Sequence, residues 1–287
     1  MNNAVRIVEV GPRDGLQNEP NPVASKDKIE LINQLADCGL THIEATSFVN
    51  PRWVPQLADA GTVMDGIRRG NGVTYSVLVP NLKGMQAALN HAADEVAVFA
   101  AASEAFSQKN INCSIEESFA RFAPIVDLAR KNATPVRGYV STITDCPYAG
   151  AVAPQAVVEV VERLLDLGCH EVSLGDTLGR AKPDQIESLL ALLLKRVPAR
   201  VLAGHFHDTS GHALDNIKLC LAAGLRTFDA SIGGLGGCPY APGAQGNVAT
   251  EAVCQAMADW GFETGVDLER LTQVSAFARQ IVSAQQD

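Results

Sequence analysis

Residues 5–15 have the sequence VRIVEVGPRDG, a short apolar run followed directly by a tight polar turn. The run has the length and the β-branched composition of a buried strand. An open, doubly wound sheet would usually carry a glycine-rich dinucleotide fingerprint in the turn after its first strand. The turn GPRDG at residues 11–15 is not such a fingerprint, so this segment favours a closed barrel over an open sheet.

Seven more β-rich segments follow, and stretches with helical periodicity separate them. Eight parallel strands with intervening helices make a (β/α)8 TIM barrel, which takes about 250 residues. The chain has 287 residues, so a single catalytic domain over residues 1–287 is predicted. The predicted strands are residues 5–10, 41–46, 73–79, 95–100, 136–142, 171–174, 201–207 and 227–232.

The helical stretches carry signals at their ends. A helix over residues 26–38 is predicted to be entered at Ser25. Ser114, followed three residues later by Glu117, is a capping box that opens another helix. An additional C-terminal helix is predicted near residues 268–283.

Composition is consistent with an α/β protein and excludes several classes of partner. Hydrophobic residues make up 47% of the chain and aromatic residues only 5%, so the core is expected to consist of Ala, Val, Leu and Ile. The net charge of −9 opposes general binding to nucleic acid or to an anionic membrane surface. No apolar run reaches the roughly 20 residues needed to span a bilayer.

Cysteine usage and the N-terminus bear on location. Seven cysteines are scattered without a C-x-x-C pair, and an odd number cannot all pair within one chain. The first apolar segment begins almost at Met1, which leaves no room for an export or transit signal. We therefore expect a soluble, cytoplasmic protein.

In TIM barrels the functional side chains come from the C-terminal ends of the strands. His205 and His207 end the seventh predicted strand, and their spacing of two places both rings on the same face. Asp14 follows the first strand, which is near the seventh in a closed barrel. A hydrogen-bonded core histidine is the usual explanation for a single His, but two at this spacing favour a metal site.

Arg13 and Glu44 are a second candidate group. Arg13 lies beside Asp14, and its planar charged group suits a substrate carboxylate or a developing oxyanion. Glu44 lies in an apolar part of the second strand, where an ionised carboxylate needs a partner. Arg13, one strand away, could be that partner. A turn that caps a helix and a structural salt bridge are the alternative explanations.

A glycine-rich loop follows the eighth strand. Residues 233–247 include the string GGLGGCPYAPG and end at Asn247. This density of glycine is typical of a mobile lid or a phosphate-binding loop, although a flexible connector is the simpler explanation. The thiol of Cys238 could enter the site as a proton donor or nucleophile, whereas the other six cysteines are expected to be core residues.

The candidate ligands are the carboxylate of Asp14, the imidazoles of His205 and His207, and the amide oxygen of Asn247. This set suits a hard or borderline ion that keeps some water. Mg²⁺ or Mn²⁺ is therefore favoured over a closed structural Zn²⁺ site, with zinc still open.

Three strings resemble the 3-hydroxy-3-methylglutaryl-CoA lyase family, within the wider group of metal-dependent barrel lyases and Claisen-type condensing enzymes. They are VEVGPRDGLQNE at residues 8–19, NINCSIEES at residues 110–118 and GLGGCPY at residues 234–240. The Arg-Asp-Gly at residues 13–15 of the first string is shared with relatives and is only moderately specific, whereas the last string is highly specific. We expect neither the organelle leader nor the cysteine-bearing tail of animal members, so the location of those members and any thiol-linked regulation by the tail are not carried over.

The resemblance implies roles for the candidate residues. Asp14, His205, His207 and Asn247 match the family's metal ligands, Arg13 its catalytic and substrate-binding arginine, Glu44 its active-site glutamate and Cys238 its lid cysteine. The implied reaction is retro-Claisen cleavage of (S)-3-hydroxy-3-methylglutaryl-CoA to acetyl-CoA and acetoacetate, as in leucine catabolism. Cys238 is the candidate acid, and the base is Asp14, His205 or a hydroxide held by the metal. A homodimer or larger homo-oligomer is also implied.

Three alternatives remain at this stage. One is a lyase for a related 3-hydroxyacyl-CoA, because the named residues handle only the shared carboxylate, hydroxyl and thioester. The second is a Claisen-type condensing synthase, which usually has a further C-terminal region. The third is a non-catalytic relative that only binds a CoA thioester.

Overall fold

Eight parallel strands close into a barrel, so the predicted fold is confirmed. The computed structural model describes residues 3–70, 72–236 and 246–283. The last strand pairs with the first from Arg6 opposite Thr227 to Glu9 opposite Ala230. The strands are β1 (Arg6–Glu9), β2 (His42–Ser47), β3 (Thr74–Leu78), β4 (Glu95–Ala101), β5 (Val136–Ser141), β6 (Glu171–Asp176), β7 (Leu202–Phe206) and β8 (Thr227–Ala230).

Helices surround the barrel. A two-stranded hairpin, Asp145–Cys146 with Gly150–Ala151, lies between β5 and the next helix. In the described part of the chain, no helix combines the length and the hydropathy needed to cross a membrane. The helices are α1 (Ser25–Asp37), α2 (Ala60–Gly66), α3 (Leu82–Asn90), α4 (Glu104–Ile111), α5 (Ile115–Lys131), α6 (Pro154–Leu167), α7 (Pro183–Leu193), α8 (Ala213–Ala222), α9 (Thr250–Asp259) and α10 (Leu268–Ser283).

Helix ends show which signals were informative. The capping box is present, because the Glu117 amide donates to Ser114 Oγ at 3.0 Å and the Ser114 amide donates to Glu117 Oε2 at 2.8 Å. The assignment of Ser25 as the residue before α1 was wrong, since Ala24 holds that position. Ser25 instead donates to Asp59 Oδ2 at 2.7 Å. A tertiary contact therefore uses the hydroxyl that the local pattern assigned to capping.

The main apolar core lies between the strands and the helices, where residues such as Ile43, Val98 and Val140 are buried. This layer confirms the expected aliphatic core. The inside of the barrel is different, because ion pairs cross it. Arg137 on β5 binds Asp229 on β8 at 2.7 Å, although the two strands are not neighbours. Polar residues at the inward-facing positions of the strands therefore fill much of the barrel interior.

A single helical turn, Gly11–Gly15, connects β1 to the rest of the chain and carries Arg13 and Asp14. Glu9 holds this turn against the end of β8. Its buried carboxylate accepts the amides of Gly11 at 2.7 Å and Ile232 at 2.9 Å, and the Thr250 hydroxyl at 2.6 Å. A Cβ at Gly11 would lie 2.6 Å from Glu9 Oε1. The close approach therefore requires glycine at this position.

Glu9 should give the fold a measurable pH dependence. Burial raises the pKa of Glu9 to about 7, although three hydrogen bonds oppose the rise. Between the ordinary value of 4.5 and about 7 the native state retains a proton that the unfolded chain has lost, so stability falls as the pH rises. Glu9→Gln mimics the protonated acid and should remove this pH-dependent loss of stability, which totals on the order of 3 kcal/mol at most.

Urea unfolding of both proteins between pH 5 and pH 8 measures this effect. The free energy of unfolding of Glu9→Gln, compared with that of the native protein, should increase as the pH rises. Glu30→Gln on the exposed face of α1 is the matched control and should leave the slope unchanged. A difference between Glu9→Gln and the native protein that stays constant with pH would contradict the assignment.

Candidate active site

A cavity of about 910 Å³ opens at the C-terminal ends of the barrel strands. Arg13, Asp14, His205 and His207 all line it. These residues lie in two parts of the chain, the turn after β1 and the end of β7. The structure therefore brings together the residues that the sequence placed at strand ends.

Asp14, His205 and His207 form a compact group of donors. One donor atom from each lies within 4.8 Å of the other two. The two imidazole centroids are 5.4 Å apart, as expected for residues two apart on one face. This separation allows a single ion to contact all three side chains.

Asp229 orients His205. The pKa of Asp229 lies well below its usual range, because the charge of Arg137 and the bond to His205 outweigh the effect of burial. An ionised carboxylate can only accept, so the 3.1 Å contact between His205 Nδ1 and Asp229 Oδ2 places the proton on Nδ1. The Nε2 lone pair of His205 is then available to a metal, an arrangement common in metal-binding histidines.

His207 also offers a lone pair. Burial and the neighbouring His205 lower its pKa to about 4, so the ring is neutral at physiological pH. Its Nδ1 is buried and has no hydrogen-bond partner among the residues that the structure describes. A buried nitrogen without a partner is costly. A cation between this ring, His205 and Asp14 would remove that cost, so the donor set fits a divalent metal.

Asp14 is held ionised. Burial alone would raise its pKa, but Arg13 and the two histidines lower it to about 2. Asn247 lies beside it and donates from Nδ2 to Asp14 Oδ2 at 2.8 Å and to the Leu235 carbonyl at 3.2 Å. Ligation through the amide oxygen would require the amide to turn and to give up both of these hydrogen bonds. The role of Asn247 as a ligand stays a prediction.

Arg13 and Glu44 form the predicted pair. Arg13 Nε donates to Glu44 Oε2 at 2.7 Å, and its Nη1 donates to Asp14 Oδ1 at 2.5 Å. Burial disfavours the charged guanidinium, but the two carboxylates outweigh it and raise the pKa of Arg13 above its usual value. Glu44 is fully buried and does not line the cavity. Its position therefore suits holding Arg13 in place.

The sequence analysis missed a buried network below the site. Arg137 donates to Asp229 and, at 2.9 Å, to the Tyr139 hydroxyl, which lies 3.3 Å from Glu44 Oε2. Ser173 donates to Asp229 at 2.7 Å. The available signal was alternation, since residues 137, 139 and 141 are all polar within a predicted strand. Such a pattern indicates a polar barrel interior.

Cys238 and most of the glycine-rich loop lie outside the described residues, which stop at Gly236 and resume at Gly246. The lid and the role of Cys238 stay predictions. The other six cysteines are all buried, as expected of core residues.

Comparisons with known proteins agree with this geometry. A family model described as HMGL-like matches residues 4–278. A hydroxymethylglutaryl-CoA lyase of Pseudomonas mevalonii is 54% identical and covers 94% of this chain and 90% of its own. A 3-hydroxy-3-isohexenylglutaryl-CoA/hydroxymethylglutaryl-CoA lyase of Pseudomonas aeruginosa is 53% identical over 93% of this chain and 89% of its own. The crystal structure of an HMG-CoA lyase from Brucella melitensis superposes with a TM-score of 0.96 at 57% identity, covering 98% of this chain and 99% of that one.

Asp229→Asn should weaken metal binding. An amide at this position can donate to His205 Nδ1, which would move the ring proton to Nε2 and block that nitrogen. We expect the dissociation constant for Mn²⁺ to rise about ten- to a hundredfold. Titration of the purified protein with Mn²⁺, followed by electron paramagnetic resonance, measures the change. Asp127→Asn on the surface of α5 is the matched control, and an unchanged Mn²⁺ titration of Asp229→Asn would remove Asp229 from this role.

Proposed function

The chain belongs to the HMGL-like family, and on that premise we propose that it is a carbon-carbon lyase that cleaves (S)-3-hydroxy-3-methylglutaryl-CoA. The products are acetyl-CoA and acetoacetate. The observation that carries the proposal is the grouping of Asp14, His205 and His207 beside Arg13 in one cavity. A metal site beside a fixed cation can stabilise both the developing alkoxide and the enolate of a retro-Claisen cleavage.

Asp14, His205 and His207 would hold the metal, with the amide oxygen of Asn247 as a further ligand. A bound divalent ion supplies Lewis acidity toward the tertiary hydroxyl and a neighbouring substrate oxygen. The carboxylate and amide oxygens of this set suit Mg²⁺ or Mn²⁺, which we propose as the ion, and the two imidazoles keep Zn²⁺ as the alternative.

The reaction breaks the bond between the carbinol carbon and the methylene next to the thioester. A base removes the hydroxyl proton, the carbinol oxygen becomes the ketone of acetoacetate, and the electron pair of the broken bond forms the enolate of acetyl-CoA. Asp14 and His205 are the protein's candidates for the base. An acid then protonates the enolate carbon, and Cys238 is the proposed donor.

We propose that Arg13 stabilises the developing enolate. Glu44 and Asp14 fix its guanidinium from two sides, so the group is oriented before the substrate binds. Preorganised donors of this kind stabilise a transition state by several kcal/mol, about 3 for a single donor.

The CoA portion of the substrate extends toward the exposed end of the cavity in this proposal. Arg121 lines that end and is exposed. Among the described residues it donates to the neutral carbonyls of Ile111 and Asn112 at 3.0 and 3.2 Å, and we propose that its charge binds a phosphate. The homo-oligomeric state and the cytoplasmic location stay predictions.

Substrate cleavage tests the function directly. Protein stripped with a chelator should be inactive, and Mg²⁺ or Mn²⁺ should restore equimolar release of acetoacetate and acetyl-CoA from the (S) substrate. Coupled enzymatic assays measure both products. Condensation of acetyl-CoA with an oxo acid, or binding of CoA thioesters without release of product, would favour a synthase or a non-catalytic relative instead.

Arg13→Lys and Arg13→Met test the role of the arginine. A point charge or a thioether cannot reproduce the planar fork, so we expect kcat to fall about 10²- to 10³-fold or more. The Mn²⁺ titration should change little. Arg68→Lys, at a surface ion pair with Asp37, is the matched control, and normal turnover in either Arg13 variant would exclude the proposed role.

A further inference from the structure

A small apolar cluster lies inside the barrel, separate from the main core. We call it the apolar wall, and it consists of Leu78, Ala97, Phe99 and Tyr139. Leu78, Phe99 and Tyr139 line the cavity, and Ala97 is buried beside them. Hydrocarbon groups therefore face the same space as Arg13 and the candidate metal ligands.

The wall lies across the barrel from those ligands. It is formed by β3, β4 and β5, whereas Asp14 follows β1 and His205 lies on β7. In a ring of eight strands, β7 is opposite β3 and β1 is opposite β5. The cavity therefore has a charged side and an apolar side.

The Tyr139 ring connects the two sides. Its centroid lies 6.1 Å from that of His205 in an edge-on arrangement, and the guanidinium carbon of Arg13 is 5.6 Å from it. The same ring packs in the cluster with Leu78 and Phe99. Through Tyr139, the apolar wall thus lies next to Arg13 and His205.

The carbinol carbon of the proposed substrate carries four groups. The hydroxyl, the carboxymethyl arm and the thioester arm are polar, and the 3-methyl group is the hydrocarbon one. Burying a methyl group against an apolar surface is favourable, whereas a polar arm there would lose hydrogen bonds to water.

We propose that the apolar wall binds the 3-alkyl substituent of the substrate and limits its size, with Phe99 and Leu78 as the specificity-determining residues. This inference rests on the proposed function. The 53% identical relative from Pseudomonas aeruginosa is named for both a 3-methyl and a 3-isohexenyl substrate. Substituent size therefore varies among proteins this similar, which is consistent with control by a few lining residues.

Three CoA thioesters test the proposal: 3-hydroxyglutaryl-CoA, its 3-methyl form and its 3-ethyl form. The native protein should show a kcat/KM for the 3-methyl form about tenfold above that for the unsubstituted form. Phe99→Ala should raise the ratio of 3-ethyl to 3-methyl kcat/KM about tenfold, and Phe99→Leu should raise it less. Ala97→Leu, which pushes the wall into the cavity, should lower the same ratio.

Phe277→Ala on α10, which packs against the main core away from the cavity, is the matched control and should leave the ratio unchanged. If Phe99→Ala, Phe99→Leu and Ala97→Leu reduce kcat/KM equally for all three thioesters, the wall contacts a part that they share, such as the pantetheine arm, and the proposal is wrong. If the native protein cleaves none of them with Mg²⁺ or Mn²⁺, the proposed function itself fails. If the wall variants cleave the substrates normally and the ratio of 3-ethyl to 3-methyl kcat/KM is unchanged, the proposed role of the apolar wall is wrong and the proposed function stands.

Discussion

The buried charge of Arg137 is the constraint around which the inside of the barrel is organised. Its guanidinium is almost completely shielded from water and binds two carboxylates, Asp229 at 2.7 Å and Glu171 at 2.9 Å. A charge in such a place requires opposite charges and well-formed hydrogen bonds, and removal of one partner typically costs 3–5 kcal/mol. The strands that face Arg137 therefore need acidic residues at fixed positions. Asp229, once placed there, also receives the hydroxyl of Ser173 and the ring of His205.

The same network connects both halves of the candidate site. On one side it passes through Asp229 to His205, a predicted metal ligand, and on the other through Tyr139 to Glu44 and Arg13. The side chains that face the cavity are thus held by others that do not. This arrangement fixes donors before a substrate arrives, which is how an enzyme avoids reorganising its polar groups during the reaction.

Much of the fold followed from local pattern. The strand segments are rich in apolar and β-branched residues and are separated by stretches with helical periodicity, so all eight strands could be located, with ends that differ by at most two residues. The residues at strand ends were also recognisable, because Arg13, Asp14, His205 and His207 carry unusual chemistry for their positions. Arg137, Asp229 and Glu9 were missed because their partners lie far away in sequence; Glu9, for example, binds Thr250. Ser25 was misassigned for the same reason, since its partner Asp59 lies beyond the helix.

The pairing of β1 with β8 has a consequence for synthesis of the protein. Asp14 comes from the beginning of the chain, whereas His205 and Asn247 come from its last third, and closure of the barrel brings them together. A contact between such distant segments forms late, because a long loop must first be closed. A nascent chain still on the ribosome can build strand-helix units one after another. The predicted metal ligands come together only when the final strand docks against the first, so we expect that no partly made chain carries out a partial version of the proposed chemistry.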